Sequence, residues 1–137
     1  MILLDINIFM DVFERRDGWT FSLEIINKVK SKELKGFISA LTVPILYFLR
    51  SKYIPEKQTR EDIRRIIDNF KTIALTDDII NKSFTSDLPD FEDAVQFYSA
   101  KEAKCAVIIT RNVKDFEKVK EISVQTPEEF LKEFEGE

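Results

Sequence analysis

Five acidic residues stand beside apolar segments, at places where a strand is predicted to end or a helix to begin. They are Asp5, Asp90, Glu92, Asp93 and Asp115. Carboxylates that come together repel one another unless a cation compensates their charge. Oxygen-rich sites suit Mg²⁺ or Mn²⁺, and such ions can activate a water and neutralise charge on a phosphodiester. These residue types therefore point to metal-assisted hydrolysis.

The composition fits one compact domain, residues 1–137, in which catalysis would depend on oxygen groups. Of its 137 residues, 44% are hydrophobic, and it has 3 Gly and 4 Pro, the balance of a globular protein. It has no histidine, which excludes histidine general bases and histidine metal ligands. The net charge of −4 argues against a large nonspecific nucleic-acid surface. A nucleic-acid substrate remains possible, because bound divalent ions bring positive charge of their own.

The cysteine count and the hydropathy pattern favour a cytoplasmic protein. The one cysteine, Cys105, lies in the apolar run 103–109 and precludes an internal disulfide. No apolar run approaches the ~18 residues of a membrane span, and no signal-peptide pattern opens the sequence. We therefore expect a cytoplasmic protein with no membrane partner.

Strand and helix patterns alternate along the chain, which predicts an α/β protein with a parallel sheet. The predicted strands are 1–4, 37–39, 72–75, 106–110 and 122–124. The predicted helices are 8–13, 20–32, 42–49, 59–70, one that begins near 76, 89–104 and 126–134. Thr59, Thr76 and Thr126 are predicted to begin helices. The segment 45–49 is apolar all round, which indicates burial in the core or in a subunit interface.

The direction of the chain predicts that the acids meet. In a parallel sheet the carboxyl ends of strands and the amino ends of helices share one edge, where ligands bind in open α/β folds. Asp5 closes the first strand, and Ser39 and Thr42 follow the second. The other candidates begin the helix before the fourth strand or follow that strand: Asp90, Glu92, Asp93, Asn112 and Asp115. We expect all of these residues at one edge.

Structural roles compete with catalytic ones at the acidic positions. The helix dipole favours acids in a first turn, and Asp90 is a good N-cap, so Asp90 and Glu92 have a cap or a solvated charge as an alternative role. Asp115 has an ordinary cap as its alternative. Asp5 and Asp93 adjoin apolar residues, where burying an unpaired acid is unfavourable. For these two acids a role in the site is therefore the stronger interpretation.

Neighbouring polar residues also carry two interpretations. Asn7 would cap the first helix or orient a metal-bound water, and Thr110 would act in the site or only satisfy a turn. Arg111 would contact substrate phosphate or pair with a local acid. Structural roles are expected for two further groups of residues. We expect solvated or capping side chains at Asp11, Asp77 and Asp78. We expect positions in the core or in a dimer surface for Tyr47, Phe48 and Tyr53.

Three segments together resemble the PIN-domain family. They are Leu4–Asn7, Ile38–Thr42, and the acidic helix start followed by Thr110–Asn112 with Asp115–Phe116. The resemblance runs in order from residue 1 to about residue 131, and the last two segments are its most specific part. Within this family, the sequence is most similar to the prokaryotic branch of VapC-like toxins from toxin–antitoxin pairs.

The resemblance implies a single-domain three-layer α/β/α sandwich with a five-stranded parallel sheet, and Mg²⁺- or Mn²⁺-dependent endoribonuclease activity on RNA. It also implies a homodimer and a small antitoxin partner. Asp5, Asp93 and Asp115 match family acids and would be catalytic and metal-binding. Arg111, whose two roles were left open above, is the candidate for binding substrate. The supporting positions are Asn7, Asp90, Glu92, Thr110 and Asn112.

Two positions depart from the family pattern. The second family acid, usually a glutamate, should fall near Pro44 or Ile45, and Ile6 stands where threonine or serine is common. These departures keep an inactive PIN-like binding module as the alternative to a ribonuclease. A receiver-like phospho-acceptor domain is a more distant alternative, because it requires an acidic pair after the first strand and Asp5 has no acidic neighbour.

Overall fold

The computed structural model describes residues 1–136 and contains one five-stranded parallel sheet in the order β3-β2-β1-β4-β5. Glu137, the last residue of the expected domain, lies outside the described residues. The strands are β1 Ile2–Leu4, β2 Gly36–Ser39, β3 Lys71–Ile73, β4 Val107–Ile109 and β5 Ser123–Gln125. All five predicted strands and their parallel direction are thereby confirmed.

Within residues 1–136, seven α-helices and one 3-10 helix accompany the strands, and the last α-helix follows β5. The α-helices are α1 Ile6–Glu14, α2 Trp19–Lys30, α3 Thr42–Ser51, α4 Glu56–Asn69, α5 Asp77–Phe84, α6 Phe91–Glu102 and α7 Pro127–Glu135. The 3-10 helix spans Val113–Phe116, between β4 and β5. No helix within residues 1–136 is both long enough and apolar enough to span a bilayer.

The helices cover both faces of the sheet, which confirms the three-layer α/β/α sandwich. Successive strand residues face opposite sides, so Leu4 joins a core with Ile8 and Leu46. Leu3 joins a second core with Phe97 and Ile108. Helices α1 to α4 and α7 pack on the first side, and α5 and α6 pack on the second.

Two of the three threonines predicted to begin helices do so, the prediction for Thr59 is wrong, and one of the two roles expected for Asn7 is excluded. Thr76 and Thr126 accept hydrogen bonds from backbone N–H groups as N-caps, and Thr126 completes a capping box with Glu129. Thr59 does not begin a helix. Helix α4 already starts at Glu56, and the buried Thr59 hydroxyl donates to the Pro55 carbonyl at 3.1 Å. The other correction concerns α1, whose N-cap position is Asp5, so Asn7 is not the cap.

Helix α3 buries only one side in the single chain. Leu46 is 1% exposed, whereas Phe48 is 61% exposed. The expectation of a core position is therefore wrong for Phe48, and the expectation of a subunit interface stays a prediction.

Candidate active site

The carboxyl ends of two neighbouring strands place Asp5 and Thr110 side by side. Asp5 directly follows β1, and Thr110 directly follows β4. The two strands are paired, with Leu4 of β1 opposite Ile109 of β4. The Asp5 N–H donates to the Ile109 carbonyl at 3.0 Å, and the Thr110 hydroxyl donates to Asp5 Oδ2 at 3.0 Å. The Asn112 N–H in turn donates to the Thr110 hydroxyl oxygen at 3.1 Å. This chain of hydrogen bonds fixes one carboxylate oxygen of Asp5.

Asp5 is a buried acid. Its exposed fraction is 4%, and this burial raises its pKa above the ordinary aspartate value. Interactions with Thr110, the Ile6 backbone and Asn7 oppose the increase, because they favour the ionised carboxylate, and the charge of Glu92 adds to it. The fold thus holds Asp5 where its negative charge is unfavourable.

Asp93, in the first turn of α6, faces the same group of acids. Its partial burial and the negative charges of four neighbours raise its pKa to about 7. Burial contributes most, and the neighbours that contribute, in decreasing order, are Asp5, Asp90, Asp115 and Glu92. The fold therefore brings the other four predicted acids within electrostatic range of Asp93.

Asp90 and Glu92 are exposed at the start of α6. Asp90 is the N-cap, and its Oδ1 accepts a hydrogen bond from the Asp93 N–H at 3.1 Å. The capping role of Asp90 is thus present, and this cap fixes the backbone that carries Asp93. Glu92 adds negative charge without a basic partner in residues 1–136.

Asn112, Asp115 and Asn7 lie around this centre. The Asn112 carbonyl accepts from the Asp115 N–H at 3.0 Å, which forms the turn at the start of the 3-10 helix. Asn112 is exposed and Asp115 is partly buried. Asn7 Oδ1 accepts from the Arg16 guanidinium at 3.2 Å, so an exposed arginine lies next to the centre.

Arg111 is engaged entirely by protein groups. Its Nε donates to Asp11 at 2.8 Å, and Nη1 donates to both oxygens of Glu128 at 2.6 and 2.8 Å. Nη2 donates to the Gly18 carbonyl at 2.8 Å and to the Ser22 hydroxyl at 3.3 Å. Every nitrogen of the guanidinium thus donates to a protein acceptor. Of the two roles expected for Arg111, this geometry favours pairing with local acids over a phosphate contact.

The buried acids differ in how their charge is compensated. Asp11 is paired with Arg111 at 2.8 Å, and Asp62 is paired with Arg50 at 3.0 Å. Across the described part of the chain, no basic side chain pairs with any of the acids at the candidate site: Asp5, Asp90, Glu92, Asp93 and Asp115. This is the arrangement expected where a cation supplies the missing positive charge.

The donor chemistry of the site fits a divalent cation, although the side chains do not form a closed cage. Carboxylate and amide oxygens are the ligands that Mg²⁺ and Mn²⁺ prefer. In residues 1–136 no three acidic or cysteine side chains come close enough to form a ready-made metal site. Ile45, on α3, adds no oxygen. Ion binding would therefore require the carboxylates to draw together.

Sequence reasoning missed two features at or beside the site. Asp11, expected to be solvated or capping, is 3% exposed, and it lies three residues after the buried Ile8, a spacing that placed it on the inner side of α1. Gln96 is also 3% exposed and lies three residues after Asp93. That spacing was visible in the sequence. The partners of Asp11 and Gln96 were not, because they are distant in sequence.

Comparison with known proteins identifies the kind of domain. A family model of the PIN domain matches residues 1–114. A toxin–antitoxin complex from Klebsiella pneumoniae contains a chain that is 25% identical, with a TM-score of 0.70 over 93% of this chain and 98% of that one. VapBC-1 from nontypeable Haemophilus influenzae is 21% identical, with a TM-score of 0.71 over 93% and 99%.

A third similar structure is VapC20 from Mycobacterium tuberculosis, a toxin that cleaves the sarcin–ricin loop. It is 13% identical, with a TM-score of 0.61 over 79% of this chain and 87% of that one. At such identities the similarity shows the fold alone. Among curated proteins, none matches the chain.

Proposed function

Because the chain belongs to the PIN domain family, we propose that it is a metal-dependent endoribonuclease that hydrolyses phosphodiester bonds in RNA. One observation carries the proposal: Asp5 is buried without a basic partner, whereas Asp11 and Asp62, the other buried acids in residues 1–136, each pair with an arginine. A cation at the carboxyl edge of the sheet would supply that compensation.

Asp5, Asp93 and Asp115 would hold Mg²⁺ or Mn²⁺, with Asn112, Asp90 and Glu92 beside them. When bound, such an ion supplies positive charge against a phosphodiester and activates a water. Thr110 fixes one oxygen of Asp5, and Asp90 fixes the backbone of Asp93.

Arg16 replaces Arg111 as the proposed phosphate contact. Its guanidinium is exposed and already reaches Asn7 at 3.2 Å, close to the centre. Arg111 is instead held by two local acids, Asp11 and Glu128.

The first test is RNA cleavage by the purified protein with Mn²⁺ and by its Asp93→Asn variant. We expect cleavage that EDTA abolishes and that falls at least ~100-fold in the variant, which should keep the wild-type circular dichroism spectrum. Asp87→Asn, in the exposed segment before α6, is the matched control and should cleave like wild type. Cleavage that Asp93→Asn leaves unchanged would refute the assignment of the site.

The structural relatives support a more specific role as the toxin of a toxin–antitoxin pair. One relative comes from a toxin–antitoxin complex, and another is a toxin that cleaves the sarcin–ricin loop. We propose a small antitoxin partner and a homodimeric toxin. Expression of the chain alone should arrest growth, and co-expression of a small protein encoded beside it should restore growth; normal growth without that protein would contradict the toxin role.

A non-catalytic PIN-like binding module remains the second candidate. It is favoured by Ile45 at the expected acid position and by the open arrangement of the carboxylates. That candidate predicts partner binding without turnover, so metal-dependent cleavage by pure protein would eliminate it. The receiver-like alternative has no support, because the matched family is the PIN domain.

A further inference from the structure

Gln96 has a buried side-chain amide in which only the nitrogen has a hydrogen-bond partner within residues 1–136. Its side chain lies on α6 and is 3% exposed. Nε2 donates to the Thr42 hydroxyl oxygen at 3.0 Å, whereas Oε1 is buried and accepts no hydrogen bond from residues 1–136. Buried amide oxygens are almost always paired, because an unpaired one destabilises the folded state. This exception requires an explanation.

The position of Gln96 places it beside the acidic centre. It follows Asp93 by three residues, so the two side chains project from the same side of α6. Its partner, Thr42, is the first residue of α3, just beyond the carboxyl end of β2. Since β2 adjoins β1, the pair lies on the β2 side of Asp5, and Thr110 holds Asp5 from the β4 side.

The chemistry of an amide oxygen suits this location. The acidic centre gathers several carboxylates that have no basic partner within residues 1–136. A neutral oxygen can accept a hydrogen bond or approach a cation without adding to this repulsion. Ile45, three residues after Thr42 on α3, has an apolar side chain and offers no oxygen.

We propose that Gln96, held by Thr42, supplies a neutral oxygen to the candidate cation site on its β2 side, and that its ligand is a hydrated divalent cation. The inference rests on the proposed function and extends it to a residue with no charge. Gln96 is then a binding residue for the ion, and Thr42 orients its amide.

Mn²⁺ binding tests the proposal without a substrate. The dissociation constant is measured by isothermal titration calorimetry, together with the electron paramagnetic resonance spectrum of the bound ion. Gln96→Met keeps the side-chain length but has no oxygen, and we expect it to weaken Mn²⁺ binding by about 10- to 100-fold. Gln96→Glu retains the oxygen and should bind Mn²⁺ at least as tightly as wild type.

Ser99→Ala is the matched control. Ser99 lies on the same helix, is 0% exposed and also has an unpaired buried oxygen, but it is about 1.7 turns from Asp93. The variant should leave the Mn²⁺ dissociation constant unchanged. Equal weakening in Ser99→Ala and Gln96→Met would show a general effect on α6 and overturn the proposal.

The remaining outcomes separate the two proposals. If wild type binds Mn²⁺ and a folded Gln96→Met binds it equally well, the role of Gln96 is refuted while the metal-dependent function stands. If wild type binds no Mn²⁺, both are refuted. Should Gln96→Met fail to fold, Thr42→Val removes the hydroxyl that orients the amide and should weaken binding as well; unchanged binding in that variant refutes the proposal.

Discussion

The folded protein disfavours the ionised form of the Asp93 carboxyl group. An ordinary aspartate has a pKa of 3.8, whereas in the fold burial and four acidic neighbours raise that of Asp93 to about 7. Between these pH values the folded state retains a proton that the unfolded chain has released. The free energy of unfolding of the ion-free protein should therefore fall as pH rises from about 4 to 7.

Asp93→Asn should remove this pH dependence. We expect the ion-free variant to be more stable than wild type at pH 8 by roughly 1–2 kcal/mol, after discounting for solvent screening of a partly exposed group. At pH 4 the two proteins should be equally stable. Urea denaturation in EDTA at pH 4, 6 and 8 measures the difference. A variant that is less stable than wild type at pH 8 would contradict the charge repulsion inferred at the site.

Residue types and spacing predicted which acids would gather, but not how each would be compensated. Asp5 and Asp93 could be selected because each adjoins apolar residues and so could not be freely solvated. The partner of Asp11 could not be predicted, since Arg111 is 100 positions away in the chain. A local pattern contains no information about such a pair.

Arg111 connects four parts of the fold. From the end of β4 its side chain forms hydrogen bonds to α1, to the turn before α2 and to α7. The network allows a stability prediction. Arg111→Met leaves Asp11, at 3% exposed, without its cation, so we expect the free energy of unfolding to fall by about 3 kcal/mol.

Glu128→Gln is the comparison for Arg111→Met. Glu128 is the more exposed partner of Arg111, with a side chain 44% exposed. The free energy of unfolding should therefore fall less in Glu128→Gln than in Arg111→Met, because water can replace part of the interaction. Thermal and urea denaturation of both variants measure the order of the effects. A loss in Glu128→Gln as large as in Arg111→Met would show that the buried Asp11 is not the dominant partner.

The elements themselves were predictable where burial and capping signals agree. β4 is a β-branched apolar segment and was found within one residue at each end. Thr59 shows the opposite case. Its sequence resembles a helix start, but α4 has Pro55 as its N-cap and begins at Glu56, three residues before the start predicted at Thr59. A proline before a helix was the stronger signal, since it disfavours helical geometry in the residue that precedes it.

At the scale of the whole molecule, two large apolar side chains remain exposed at α3 and the turn after it. Phe48 is 61% exposed and Tyr53 is 80% exposed. Exposed apolar patches often mark association surfaces, and the subunit interface expected from the sequence stays a prediction.

We predict a homodimer through this surface. Phe48→Glu should raise the dimer dissociation constant at least ~10-fold by placing charge in the interface, as measured by light scattering coupled to size-exclusion chromatography. Phe84→Glu, at a residue 73% exposed on α5, should remain dimeric. A wild-type protein that is monomeric at every concentration tested would refute the interface.

The strand order has a consequence for how the protein is made. The first strand synthesised, β1, lies in the centre of the sheet and pairs with β4, which is synthesised about a hundred residues later. Asp5 and Thr110 are 105 positions apart in the chain. Ribosomes add ~5–20 residues per second, so β1 has no β4 partner for several seconds. We therefore expect a nascent chain to lack the assembled site until its final segments emerge.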